Sequence, residues 1–93
     1  MKITWSPRAQ QDLVRIAELI ARDKRQAAIQ WAETIQNKIA RLKDFPKSGR
    51  VVAEIRREAI REIIVGSYRV IYKLEKSISI LTIFHGAKGS LSL

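Results

Sequence analysis

Two stretches of the chain repeat apolar residues at intervals of three and four, and a third alternates them one by one. Ala9, Leu13, Ile16 and Ile20 follow one another at spacings of 4, 3 and 4, which puts them on one face of a helix predicted from about Pro7 to Arg22. Ser6 before it is a suitable cap for the free N–H groups, and Pro7 suits the first helical position, where its missing N–H costs nothing. Ala28, Ala32, Ile35, Ile39 and Leu42 repeat the device in a second helix from about Lys24 to Asp44. The short polar link "RDKR" between them makes an antiparallel helical hairpin. "KITW" ahead of the hairpin reads as an opening strand, and "FPKSGR" behind it ends the second helix, because Pro46 cannot continue one and Ser48-Gly49 turns the chain.

From Arg61 the period changes to two, which predicts strands over Arg61 to Val65, Tyr68 to Leu74 and Ile78 to His85. Gly66-Ser67 is a two-residue turn with glycine first, the arrangement of a type II′ hairpin. The charged run from Arg50 to Ile60 reads as loop with a short strand at Val51-Val52, and the tail "GAKGSLSL" as frayed. The fold expected is α+β: an N-terminal strand and an antiparallel two-helix hairpin packed on a mainly antiparallel sheet of three to four strands. Residues 1–93 form a single domain, with no internal repeat.

Register decides which side chains share a face, since a slip of one residue exchanges the two faces of a strand. The Gly66-Ser67 turn pairs Ile64 with Arg69 and leaves Glu62 as a diagonal neighbour on the same face. A three-residue connection, Glu75-Lys76-Ser77, sets Val70, Tyr72 and Leu74 beside Ile78, Ile80 and Thr82, the apolar face expected under the helices. The other face then carries Glu62, Ile64, Arg69, Ile71, Lys73, Leu81, Ile83 and His85. A two-residue connection, Lys76-Ser77, would instead send Arg69 and His85 to opposite faces. The three-residue connection segregates charge better and is preferred.

Charge narrows the class of partner. The chain has 18 Lys and Arg against 9 Asp and Glu, a net +9 on 93 residues, which attracts polyanions such as nucleic acid, an acidic protein or a membrane surface. No cysteine is present and His85 is the only histidine, so thiol chemistry and a multi-histidine metal site are excluded and no cofactor is expected. No apolar window is long enough for a membrane span and the N-terminus has no leader pattern, so a cytoplasmic protein without a membrane partner is expected. A chain this short holds a shallow groove rather than a deep cavity.

The chemistry worth weighing lies on the strand bearing Arg69. A guanidinium can clamp a phosphate with two hydrogen bonds, an imidazole at His85 can protonate a leaving oxygen, and Glu62 can orient either or act as base. Together they would suffice for phosphoester cleavage without a metal. A plainer arrangement serves the same residues: Glu62 and Arg69 as an ion pair, the arginine stem laid over Ile71 and Ile83, and His85 simply ending a strand. A serine triad is disfavoured because Asp12, Asp23 and Asp44 all fall in the helical hairpin. No glycine-rich phosphate loop precedes a helix. Trp5 and Trp31 suit core or interface packing better than base stacking.

"WSPRAQQDLVRIAELIARD", "FPKSGR", "REIIVGSYRVIYK" and "ILTIFHGAK" occur in an order that resembles the RelE/ParE superfamily of toxins from bacterial type II toxin–antitoxin systems, over nearly the whole chain. The resemblance implies a growth-inhibiting toxin neutralised by a cognate antitoxin that wraps the basic surface. In plasmids such pairs act in stabilisation. ParE-type members poison DNA gyrase, whereas RelE-type members cleave mRNA in the ribosome, so the fold alone names no target. By resemblance Arg69 falls where RelE-type nucleases bind the scissile phosphate, and His85 near the catalytic histidine of YoeB-like nucleases. The lysines those nucleases carry on the preceding strand are replaced by Ile60 and Glu62, and of their basic C-terminal run only Lys88 is left. A gyrase poison is therefore the leading expectation, with a metal-independent, ribosome-dependent endoribonuclease using Arg69, His85 and Glu62 as the alternative.

Overall fold

The computed structural model describes residues 1–87; Lys88 and the rest of the expected frayed tail lie outside them. In chain order the elements are β1 (Ile3–Trp5), α1 (Pro7–Asp23), α2 (Arg25–Ala40), β2 (Arg50–Val51), β3 (Ile60–Val65), β4 (Tyr68–Leu74) and β5 (Ile78–His85). A turn of 3₁₀ helix, Arg41–Lys43, closes α2 earlier than the expected end at Asp44. The strands form one five-stranded sheet in the order β1-β5-β4-β3-β2. That is one strand more than expected, because β1 and β2 both join it. β1 runs parallel to β5 and the other neighbours are antiparallel.

Local chemistry explains the helix starts. The Ser6 hydroxyl accepts a hydrogen bond from the Ala9 N–H at 3.0 Å, and Pro7 occupies the first turn. A single extended residue, Lys24 at φ −152, separates α1 from α2. The two helices fold against each other and lay Ala9, Ile16, Ile35, Ile39 and Leu42 onto Val65, Val70, Tyr72, Ile78, Ile80 and Ile83 of the sheet. Each fully buried aliphatic side chain there contributes about 1.5–3 kcal/mol relative to exposure. Trp5 and Trp31 pack against this core, as their positions predict.

The opposite sheet face is covered too. Residues 52–59, expected as loop apart from Val52 at the end of a short strand, fold over it and bury Val52 with Ile60 and Ile71, flanked by Ile55, Leu81 and Phe84. Gly49 anchors the start of this excursion. Its N–H donates to the Tyr72 hydroxyl at 3.1 Å, which in turn donates to the Pro46 carbonyl at 2.7 Å. A Cβ at position 49 would lie 2.6 Å from the Glu62 carbonyl oxygen and collide with Tyr72, so the close approach requires glycine.

Hairpin register follows the sequence at both turns. Gly66 has φ +60 while Ser67 stays at negative φ, as a type II′ turn demands, and Ile64 stands opposite Arg69. Leu74 stands opposite Ile78, so the β4–β5 connection has the expected three residues. Further along, the pairing slips: Tyr72 faces Ile80 but Ile71 faces Thr82, leaving Leu81 as a bulge. One extra residue swaps faces for everything beyond it. Ile83 therefore enters the helix-side core and His85 meets Tyr68 on that side, while Phe84 lies opposite Arg69. The expected placement of Ile83 and His85 on the Arg69 face is thereby corrected.

The cause of the bulge lies in α1. The buried carboxylate of Asp12 accepts the Ile83 N–H at 3.0 Å, a donor that the slip turns away from β4, and the Thr82 hydroxyl at 2.7 Å. Ser6 adds two bonds, its N–H to the Ile80 carbonyl and its hydroxyl to the Leu81 carbonyl, each 2.9 Å. Replacing Asp12 by Ala strands two buried donors, so Asp12→Ala is expected to lower stability by roughly 3 kcal/mol, and Asp12→Asn, which keeps one acceptor, by less. Urea denaturation midpoints check the order; equal stability of Asp12→Ala and the native chain would refute it.

Candidate functional site

Arg69 sits near the middle of the outer sheet face, and each of its three guanidinium nitrogens already donates a hydrogen bond. Its Nε donates to Glu62 at 2.6 Å, while Nη1 and Nη2 donate to the two carboxylate oxygens of Glu54 at 2.8 and 3.0 Å. Beneath, the guanidinium lies 5.2 Å from the centre of the Phe84 ring, a cation–π arrangement. Glu62, only 2% exposed, receives a second cation through Arg50 Nε at 3.1 Å. The result is a chain of alternating charge, Arg50–Glu62–Arg69–Glu54, laid across β2, β3, β4 and the 52–59 excursion.

Each member is placed by local structure. Arg50 and Glu62 are opposite one another in the β2–β3 ladder. Glu62 and Arg69 are the diagonal pair that the Gly66-Ser67 turn predicts. Glu54 arrives on the excursion pinned by Val52 and Ile55. Hydrogen bonding to Glu54 and then Glu62 raises the Arg69 pKa further above its usual value. The same bond to Arg69 holds the Glu54 carboxyl down at about 2. Such a fork-to-fork pair is the geometry by which arginine also recognises phosphate, and here a carboxylate of the same chain fills it.

His85 is elsewhere. Its ring stands edge-on to Tyr68, 5.3 Å between centroids, and Tyr68 meets Trp31 in the same manner at 5.2 Å. The Nδ1 atom accepts the Ala87 N–H at 3.1 Å. Of the three residues singled out from the sequence, the fold thus brings Glu62 and Arg69 into contact and turns His85 to the opposite face. Sequence reasoning missed Glu54 and Arg50, although a carboxylate and a guanidinium within a loop that returns to the strand bearing Glu62 were signals available for pairing.

Another guanidinium, this one buried, is structural. Arg61 donates to the Gly49 carbonyl at 2.9 Å, to the Glu58 carbonyl at 3.1 Å and to the Glu58 carboxylate, tying the two ends of the excursion together. On the helical hairpin, Arg8, Arg15 and Arg22 recur every seven residues and form an exposed stripe along α1, with Val14 and Leu19 exposed beside it.

Comparison with known proteins agrees with this architecture. Residues 3–89 match the family model described as the ParE toxin of the type II toxin–antitoxin system parDE. Among solved structures, the chain resembles one from the chromosomal ParDE toxin–antitoxin system of P. aeruginosa, with a TM-score of 0.75 and 18% identity over 91% of this chain and 95% of that one. It also resembles a chain of the RelBE2 toxin–antitoxin complex of Mycobacterium tuberculosis, with a TM-score of 0.55 and 21% identity over 90% of this chain and 95% of that one. No curated protein sequence matches it.

The depressed Glu54 carboxyl sets a pH dependence. Its folded value near 2 lies below the ordinary 4.5, so the stabilisation it brings is complete above pH 4.5 and is lost as pH falls through about 2. Glu54→Gln is therefore expected to be less stable than the native chain at pH 7, with the gap narrowing steadily between pH 4.5 and 2. Denaturation midpoints of both chains across that range decide it, and a gap independent of pH would show that the ion pair contributes nothing.

Proposed function

This chain belongs to the ParE toxin family of type II toxin–antitoxin systems, and from that premise we propose that it acts as a DNA gyrase poison rather than as an mRNA-cleaving enzyme. The observation that carries the reading is the state of Arg69. All three of its nitrogens are held by Glu54 and Glu62, and the imidazole that would have to work beside it lies across the sheet. A phosphoester reaction needs a phosphate-binding cation and a proton donor within reach of one substrate atom. Here the cation is neutralised within the fold and the donor is on the other face.

As a poison the toxin makes and breaks no bonds; it acts by binding. Its charge is then used for recognition, which favours fast encounter and partner choice. The exposed stripe of Arg8, Arg15 and Arg22, with Val14 and Leu19 alongside, combines cations and apolar contact on a rigid helix. That combination suits a macromolecular target. The cognate antitoxin would silence the protein by covering basic and apolar surface.

Gyrase supercoiling with the purified, antitoxin-free protein provides the test. Loss of supercoiling with accumulation of cleaved DNA is expected, and His85→Gln should act like the native chain. Arg8→Glu with Arg22→Glu should weaken the effect at least about tenfold, the size of a moderate interface contact. Untouched gyrase, together with mRNA cleavage on ribosomes that Arg69→Ala abolishes, would overturn the reading in favour of the endoribonuclease with Arg69, His85 and Glu62 at its site.

A further inference from the structure

Among the described residues, Arg56 alone has a positive φ without being glycine: it sits at φ 56 in the excursion over the outer sheet face. In that left-handed region a Cβ crowds the following carbonyl, and glycine, asparagine or aspartate is the usual occupant. The backbone is held there from both sides. The Ile55 and Arg56 N–H groups donate to the Val52 carbonyl at 3.1 and 2.8 Å, and the Arg57 carbonyl accepts the Ile60 N–H at 3.0 Å. The arginine side chain gives the fold nothing in return for the strain. It is exposed and has no ion pair or cation–π contact among the described residues. A backbone outlier that carries an unused guanidinium points to a role for that group outside the molecule.

Arg57 follows it, equally exposed and equally without a carboxylate among the described residues. The acids nearby are all engaged: Glu54 with Arg69, Glu58 with Arg61, and Glu62 with both Arg50 and Arg69. Arg50 adds a third cation, since its side chain is 70% exposed and only its Nε is used. These charges stand on a segment fixed at both ends by Gly49, Val52 and Arg61, so little order is lost when a ligand binds. No large apolar or aromatic side chain is exposed between residues 52 and 59. A protein partner draws its affinity from anchors of that kind, and a single strand of nucleic acid from aromatic platforms. The phosphates of a duplex require only fixed cations.

We propose that the 52–59 excursion is a contact site for the phosphate backbone of duplex DNA, with Arg56 and Arg57 as its principal cations and Arg50 at its margin. Contact of this kind carries no base readout, so binding is independent of sequence and steeply dependent on salt. The Arg69 fork stays closed by Glu54, and no bond in the DNA is cut. On the gyrase reading, the DNA is the duplex on which that enzyme works, and the toxin holds protein and nucleic acid together. Binding of DNA by the toxin alone does not depend on that reading.

Fluorescence anisotropy of a labelled duplex of two helical turns, titrated with the whole chain in the absence of gyrase, provides the test. The variant Arg56→Gly with Arg57→Gln removes both cations, and glycine takes the φ of position 56 without strain, so the fold is expected to melt no lower than the native one. Its affinity for the duplex should fall at least about tenfold, and the slope of log K against log salt between about 50 and 200 mM should shrink by about 2. Arg25→Gln with Lys38→Gln removes the same charge from exposed positions on α2, across the sheet, and should cost less than about threefold. Equal losses in the two variants would reduce the effect to net charge and overturn the proposal, as would a native chain that does not bind the duplex. Tighter binding of the corresponding single strand, or of polyglutamate, with the same dependence on Arg56 and Arg57 would overturn it in favour of a single-stranded or an acidic protein partner. Gyrase takes no part in the titration, so this inference and the gyrase reading fail separately.

Discussion

The contact between the first turns of α1 and the bulge in β5 sets the orientation of everything on the sheet. A sheet face is defined by parity, and Leu81 breaks parity in the middle of the central antiparallel ladder. Left alone, such a slip exposes donors and acceptors inside the core. Ser6 and Asp12 satisfy them, which means the helix that covers the sheet also fixes which of its residues are covered. Asp12 is a buried acid whose expense is met by hydrogen bonds to the groups that most need an acceptor.

That choice of parity separates two regions with different physics. On the helix side, Ile83 completes an apolar core and His85 joins Tyr68 and Trp31 in a row of aromatic edges. On the outer side, a small second core supports an ion chain in which two arginines and two glutamates cancel. The excess of positive charge in the composition is therefore uneven in use. Arg50, Arg61 and Arg69 act within the fold and Arg15 pairs with Asp12, whereas Arg8 and Arg22 of α1 and Arg41 of the turn after α2 are left to face partners.

Elements governed by neighbours along the chain were legible. The helices follow from apolar spacing and a Ser-Pro start, and the β3–β4 register follows from two turn residues, which places Glu62 beside Arg69 as observed. The face of His85 was not legible, because it depends on a hydrogen bond spanning 70 positions, from Thr82 to Asp12. In "ISILTIFH" the polar residues Ser79, Thr82 and His85 are too few to fix by themselves where the alternation breaks. The excursion over residues 52–59 was obscured for a related reason: Val52 and Ile55 are isolated apolar residues among charges, and only the presence of the sheet face shows what they cover. Glu54 became visible as the partner of Arg69 only once that segment was folded down.

The parallel pairing of β1 with β5 bears on how the protein comes into being. Ile3–Trp5 pairs with Ile78–Ile80 across most of the described residues, so this pairing closes the longest loop between neighbouring strands. Loop closure of that kind is slow relative to the helical hairpin and the β3–β4–β5 meander, which form from close neighbours. While the chain emerges from the ribosome, the apolar stripe of the hairpin has no sheet to cover it, and Asp12 has no bulge to bind. The nascent chain thus exposes hydrophobic surface before it is folded. The finished surface therefore exists only once β5 has been made and can pair with β1 and β4.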